Sequence, residues 1–202
     1  GGGGSDDPAA PIATAKTFDL KSTYANYLQS SSARTFSLTG LSSGVAITGS
    51  GNVTIGSLQN TTFAGVSALS KTLTLSGSFS GNGQTVPYST SQQAYYDTNY
   101  TPLGGSADVY SVVTSFSALP TAAKINDAGS FLTMTSYPSS AKAFVTGTQT
   151  ASYSLAADTE NSAVLTIFTT DKNASGGVNS NSSASYRITT TNSITPLGET
   201  FL

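Results

Sequence analysis

The chain has 202 residues, enough for one large β-domain or two of about 100 residues each, and enough to bury a core without disulfide staples. Only 9% of residues are charged and the formal net charge is −2, against a usual charged fraction of about 25%. Ser and Thr together make up roughly a third of the chain, so hydroxyl groups take over the solvating role that ions usually play. Lys16, Lys21, Arg34, Lys71, Lys124, Lys142, Lys172 and Arg187 are dispersed; with no basic stripe to neutralise phosphates, nucleic acid is not an expected partner. The absence of Cys and His excludes disulfides, thiolate chemistry and the usual neutral-pH general base.

Gly1 to Ser5, followed by Asp6-Asp7-Pro8-Ala9-Ala10-Pro11, reads as a flexible segment leading into a stiffer Pro/Ala spacer, so residues 1–16 are expected to form a disordered tether. This start resembles the mature N-terminus of bacterial lipoproteins just after the lipidated cysteine. That resemblance implies an acylated Cys upstream of Gly1 as the only link to a membrane. Gly-Gly-Gly-Gly-Ser is also a common engineered linker, but Asp6 through Pro11 does not have the look of a cloning remnant, which favours the natural tether.

Along the chain, Thr17–Gln29 has partial helical spacing through Phe18, Leu20, Tyr24, Tyr27 and Leu28, with Asp19 or Ser22 as cap. Beyond Ser30, period-2 alternation takes over. Phe36 and Leu38 alternate with Thr35, Ser37 and Thr39, and Val45, Ile47, Val53 and Ile55 share one parity across Gly49 and Gly51. Leu73, Leu75 and Phe79 alternate with Thr and Ser, and Asn82-Gly83 supplies a tight hairpin before a return strand over Val86–Tyr96. Further strands are expected at Asp108–Phe116, Phe131–Tyr137, Ala143–Ala156, Ser162–Thr170 and Ser183–Thr191. The stretch Ala163–Phe168 is apolar on both parities, as in a strand covered on both faces.

The expected fold class is therefore all-β: antiparallel β-sandwich or barrel-like modules, one or two in tandem. Thr101-Pro102-Leu103-Gly104 recurs as Thr195-Pro196-Leu197-Gly198. A single cut falls best at Gly104–Ser106, giving an N-terminal β module with a short helix over 17–104 and a C-terminal β module over 105–202.

The second half resembles an uncharacterised family of Gly/Ser/Thr-rich proteobacterial lipoproteins and surface proteins. The residues that carry this are Leu119-Pro120, Asn126-Asp127-Ala128-Gly129, Gly147-Thr148, Ser152-Tyr153-Ser154-Leu155, Asp158-Thr159 and Ser185-Tyr186-Arg187-Ile188-Thr189. The resemblance implies a location, in the periplasm or at the outer membrane or cell surface, and a fold more than an activity.

Motifs that could carry chemistry are few. Gly40-Leu41-Ser42-Ser43-Gly44 matches a nucleophile elbow, but no His exists to activate the serine and the flanks read strand–turn–strand. Ser139-Ser140-Ala141-Lys142 matches S-x-x-K without the companion motifs that such enzymes carry. Asp97 with Asp108, or Asp158 with Glu160, are the pairs a carboxylate hydrolase would use, but a turn or cap role, bonding nearby backbone, is the better explanation of each. Asp171, Asn173 and Ser175 occupy positions 1, 3 and 5 of a calcium-type loop with Gly176 at position 6. Ser182 stands at position 12, where a bidentate Glu is needed, so a polar hairpin loop is the safer reading.

For ligand binding, Tyr88, Tyr95, Tyr96 and Tyr100 gather around Asp97 and Asn99. Tyrosines beside amides can stack on sugars and hydrogen-bond their hydroxyls. Thr-x-Thr rows at Thr72/Thr74, Thr133/Thr135 and Thr146/Thr148/Thr150 would place hydroxyls on one face of a sheet. The expected function is a non-enzymatic envelope or surface lipoprotein, acting as an interaction or structural module with an envelope protein or glycan as partner and no cofactor. A carbohydrate- or cell-wall-binding β-domain is the alternative, and a carboxylate hydrolase ranks third.

Overall fold

A computed structural model describes residues 16–201; the expected tether lies almost wholly outside them. Strands take up 67% of the chain and helix 5%, in a single antiparallel twelve-stranded sheet that is not closed. After helix α1 (Leu20–Gln29) come β1 (Ser32–Ser42), β2 (Val45–Ile55), β3 (Gln59–Phe63), β4 (Val66–Gly81), β5 (Gln84–Tyr96) and β6 (Pro102–Ser106). Then follow β7 (Tyr110–Phe116), β8 (Ala128–Tyr137), β9 (Gly147–Thr159), β10 (Ser162–Asn173), β11 (Val178–Thr189) and β12 (Ile194–Phe201). The strand order is β1-β2-β4-β5-β6-β7-β8-β9-β10-β11-β12, with β3 paired to β4. Ser/Thr-rich alternation favours this meander because each strand offers one hydroxyl face to water and one apolar face to a core.

Three hairpins use two-residue turns in which both residues have positive φ: Ser43-Gly44, Ala64-Gly65 and Asn82-Gly83. This is the primed turn whose twist matches the flanking strands.

Two compact units are formed, one by 16–26, Ser117–Leu132 and 149–201, the other by Tyr27–Phe116 and Thr133–Thr148. In the first, Phe18, Leu20, Leu119, Ala123, Phe131, Leu155, Ala163, Leu165 and Ile188 are the buried apolar residues. Phe18 and Ala123 exchange backbone hydrogen bonds of 2.8 and 2.9 Å, which holds Phe18 out of the helix. The helix therefore starts three residues later than the spacing at Thr17 suggests. Asp19 caps it, accepting from the Ser22 N–H at 2.9 Å and the Ser22 hydroxyl at 2.7 Å. Those bonds hold the Asp19 carboxyl below its ordinary pKa.

In the second unit, Leu28, Val53, Phe63 and Ala68 are buried, and so is Lys71. The Lys71 ammonium donates to the carbonyls of Leu28 at 2.9 Å, Gly56 at 3.0 Å and Ser30. It lies 5.9 Å from the centroid of the Tyr27 ring. All three of its protons are used, and the cation sits at the negative end of α1, where a positive charge is favoured. Burial nevertheless pushes its pKa below the usual lysine range.

The repeated Thr-Pro-Leu-Gly has a structural counterpart. Tyr96 pairs with Pro102 and Tyr95 with Gly104, with a register shift between the pairs; Tyr186 pairs with Pro196 and Ser185 with Gly198, with the same shift. In each copy the Leu, 103 or 197, is the extra residue of a β-bulge, a place where proline's missing N–H is tolerated. Gly104–Ser106 lie within β6 and pair with both β5 and β7.

Candidate functional site

The register of β1, β2, β4 and β5 builds a two-faced sheet in the second unit. One face carries the rows Leu38–Gly49–Phe79–Val86, Phe36–Gly51–Gly77–Tyr88 and Arg34–Val53–Leu75–Thr90. The other carries Thr39–Thr48–Ser80–Thr85, Ser37–Ser50–Ser78–Pro87, Thr35–Asn52–Ser76–Ser89 and Ala33–Thr54–Thr74–Ser91. Alternation along each strand thus sorts the side chains into an apolar face and a hydroxyl face. Thr74 of the expected Thr72/Thr74 row lies in the hydroxyl face, and the neighbouring strands extend the array.

Glycines shape the apolar face. Phe36 and Tyr88 lie on strands separated by β2 and β4, some 14 Å apart at about 4.8 Å per strand, yet their ring centroids are 6.4 Å apart. Both rings therefore lean inward above Gly51 and Gly77. The Phe79 ring stacks on Tyr88 at 4.6 Å and covers Gly49, where a Cβ would meet it at 2.6 Å. Tyr88 Oη is buried in this layer and has no hydrogen-bond partner among the described residues.

On its outer rows this face is open to water: Val45 is 38% exposed, Leu38 43%, Phe79 36% and Val86 58%. Among the described residues β1 pairs with β2 alone, and residues 84–92 of β5 pair with β4 alone. The four strands thus have no further strand beside them at either edge among the described residues.

The expected tyrosine site divides. Tyr88 belongs to the Phe36–Phe79 cluster. Tyr95, of opposite parity on β5, stacks on Phe63 at 4.6 Å, and Phe63 in turn stacks on Tyr110 at 5.3 Å. The Tyr95 hydroxyl donates to Gln93 Oε1 at 2.8 Å and lies 3.2 Å from Ser106 Oγ. Tyr96 is half-buried opposite Leu69 and Pro102. Tyr100 takes positive φ at the turn, and its hydroxyl accepts from Gln29 Nε2 at 2.7 Å. Asp97 Oδ1 accepts the N–H groups of Asn99 at 2.8 Å and Thr101 at 3.0 Å, and Asn99 is exposed.

The calcium-type loop has the same architecture as the Asp97 turn. Asn173 N–H donates to Gly177 O at 2.9 Å and Gly176 N–H to Asn173 O at 3.0 Å. Gly176 has positive φ, and Asn173 Oδ1 accepts from Ser175 and Gly177 N–H. Asp97–Thr101 repeats each feature with Tyr100 as the positive-φ residue; Thr189–Ser193 repeats the two backbone bonds and the bond from the N–H four residues on, with Asn192 at positive φ. A short polar side chain at the first position, closing onto the N–H four residues on, is the shared rule. Asn173 Oδ1 is thereby engaged by the loop's own backbone. Asp171 stands in β10 opposite Ser180, at a register shift, and Ser175 is exposed.

The remaining motifs also sit in turns. Ser43-Gly44 of the G-x-S-x-G match forms the β1–β2 hairpin. Ser139 accepts the Lys142 N–H through its carbonyl at 3.1 Å, and Lys142 has positive φ. Asp158 is an ion-pair partner: Oδ2 accepts from Arg187 Nε at 2.7 Å and Ser162 Oγ at 2.6 Å, and Oδ1 accepts from Arg187 Nη2 at 3.3 Å. Arg187 and Ser162 together hold its carboxyl below the ordinary aspartate range. Asp127 Oδ2 accepts the Lys124 N–H at 2.8 Å.

Sequence reasoning overlooked the two-faced sheet as a site because each strand by itself looks ordinary; only the register brings Phe36, Phe79 and Tyr88 together. The signal that could have found it is Gly49, Gly51 and Gly77 sharing the parity of the apolar residues. The chain matches no protein-family model, no curated protein and no solved structure.

Proposed function

We propose that the chain is a non-catalytic interaction or structural module of a bacterial envelope or surface lipoprotein, held by an acylated cysteine upstream of Gly1. The observation that carries the interaction role is the β1-β2-β4-β5 sheet, whose apolar face is open to solvent on its outer rows and beside which, at β1 and at residues 84–92 of β5, no further strand pairs among the described residues. Such surfaces are interaction sites far more often than idle ones. The turn, cap and ion-pair roles of Asp19, Asp97, Asp127 and Asp158 accord with a non-catalytic chain. The envelope assignment rests on the Gly/Asp/Pro-rich start and the family resemblance of the second half.

The test is mass spectrometry of the N-terminal peptide from protein isolated from its native cells, with fractionation of the same cells. A diacylated or triacylated cysteine directly before Gly1 and recovery with the envelope are expected. An unmodified N-terminus in the soluble cytosolic fraction overturns the envelope assignment.

A further inference from the structure

We propose that the apolar face of β1-β2-β4-β5 packs against the same face of a second copy, forming a two-sheet sandwich between chains. The inference deepens the reading of this sheet as an interaction surface and names its occupant.

An antiparallel sheet with one apolar and one hydroxyl face ordinarily has its apolar side covered by a second layer about 10 Å away. Here the hydroxyl face is one that water can solvate, whereas Val45, Leu38, Phe79 and Val86 on the other face remain between 36% and 58% exposed. Residues 1–15 are not a suitable cover, because Ile12 is their only large apolar side chain.

The face suits a copy of itself for three reasons. It carries no acidic residue and no lysine on its outer rows, and Arg34 lies at the inner margin, so apposing two copies brings no like charges together. The Phe36 and Tyr88 rings, inclined at 56° with centroids 6.4 Å apart, form an aromatic patch on this face that a two-fold axis can duplicate. Finally, four strands by eight residues cover about 19 Å by 27 Å, so two copies bury roughly 1,000 Å², the lower bound for a specific interface. Residues on the hydroxyl face would stay outside, which fits their Ser, Thr and Asn composition.

The experiment is sedimentation velocity on the full chain over a concentration series, with Leu38→Lys and Val86→Lys as face variants. Ser37→Lys and Ser89→Lys are matched controls on the hydroxyl face. All four positions are exposed, and circular dichroism and thermal melts verify that each variant folds. The expected result is a dimer weakened at least tenfold by either face variant and unchanged by either control. A chain that stays monomeric throughout the series overturns the proposal. So does a dimer weakened only by the hydroxyl-face variants, or one insensitive to all four, which would place the contact elsewhere, such as a free strand edge. Flotation with phosphatidylcholine vesicles closes the remaining alternative: a monomer that binds them through Leu38 and Val86 has a bilayer as its occupant, not a copy. None of these outcomes alters the lipid-anchor test, so the two readings fail separately.

Discussion

Gly51 and Gly77 face each other across β2 and β4 so closely that a Cβ on Gly51 would lie 2.1 Å from Ser76 O, and a Cβ on Gly77 2.1 Å from Ser50 O. No side-chain rotation relieves a clash with a backbone oxygen. Gly51→Ala and Gly77→Ala are each expected to destabilise the second unit by on the order of 1–3 kcal/mol, the usual cost of overpacking. Gly40→Ala, which meets nothing within 4 Å, serves as control. Urea unfolding reads the difference; equal midpoints for Gly51→Ala and Gly40→Ala would contradict the close approach.

Tyr88 Oη is buried without a partner among the described residues, and an unsatisfied hydroxyl costs about 1–3 kcal/mol to hold out of water. Tyr88→Phe keeps the ring over Gly77 and removes the hydroxyl, so it should melt at the same temperature as the parent or higher. Tyr88→Ala should melt lower, since it also strips the ring stacked on Phe79. A Tyr88→Phe variant less stable than the parent would mean that the hydroxyl has a bonding role.

Lys71 satisfies three carbonyls at the C-terminal end of α1. Lys71→Ala leaves those acceptors without their donor and opens a cavity, which should cost about 2–4 kcal/mol. Lys71→Met fills the same space without the charge and should cost less. Hydrogen exchange of the α1 amides should quicken in both variants and more in Lys71→Ala; unchanged exchange would count against the helix-end role.

Asp19 and Asp158 both ionise more readily in the folded state than in the unfolded one. The stability they contribute is present above the unfolded aspartate value of about 3.9 and is lost as pH falls through their lower folded values. Melting temperature should therefore drop below about pH 4. Asp158→Asn, which keeps the shape and loses the charge next to Arg187, should flatten that drop. A variant with the parental pH profile would show that Asp158 is not one of the titrating groups.

Asn173 closes its turn through the Ser175 and Gly177 amides. Asn173→Ala should speed exchange of those two amides and cost about 1 kcal/mol, as for loss of a capping side chain. Millimolar calcium should leave the melting temperature of the parent unchanged. A calcium-dependent rise abolished by Asn173→Ala would restore the metal reading.

The all-β antiparallel class was legible because period-2 alternation survives wherever one sheet face meets water. Asn82-Gly83 marked its hairpin because both residues tolerate positive φ. Ala64-Gly65 forms the same turn, but alanine gives no such signal, and β3 was overlooked with it. β6 and β12 were hidden for a different reason: Thr-Pro-Leu-Gly has the composition of a turn, while in the fold its proline lies at a bulge, where a missing donor is harmless. Pro138 and the turn closed by Lys142 delay β9 from the expected Ala143 to Gly147. The tyrosine site was only partly legible, since neighbours in sequence look like neighbours in space. Opposite parity on β5 sends Tyr88 and Tyr95 to different aromatic clusters, and a turn ties Tyr100 to Gln29.

The scarcity of charge and the burial of Lys71 have a consequence for proteolysis. Between Arg34 and Lys124 the chain has a single trypsin site, and that site is Lys71, which is 6% exposed. Folded protein given trypsin should keep residues 35–124 as one uncut span that includes β2, β4, β5 and the part of β1 beyond Arg34. Cleavage after Lys71 would then report the local opening of α1 from β4, turning an ordinary digest into a clock for that one motion.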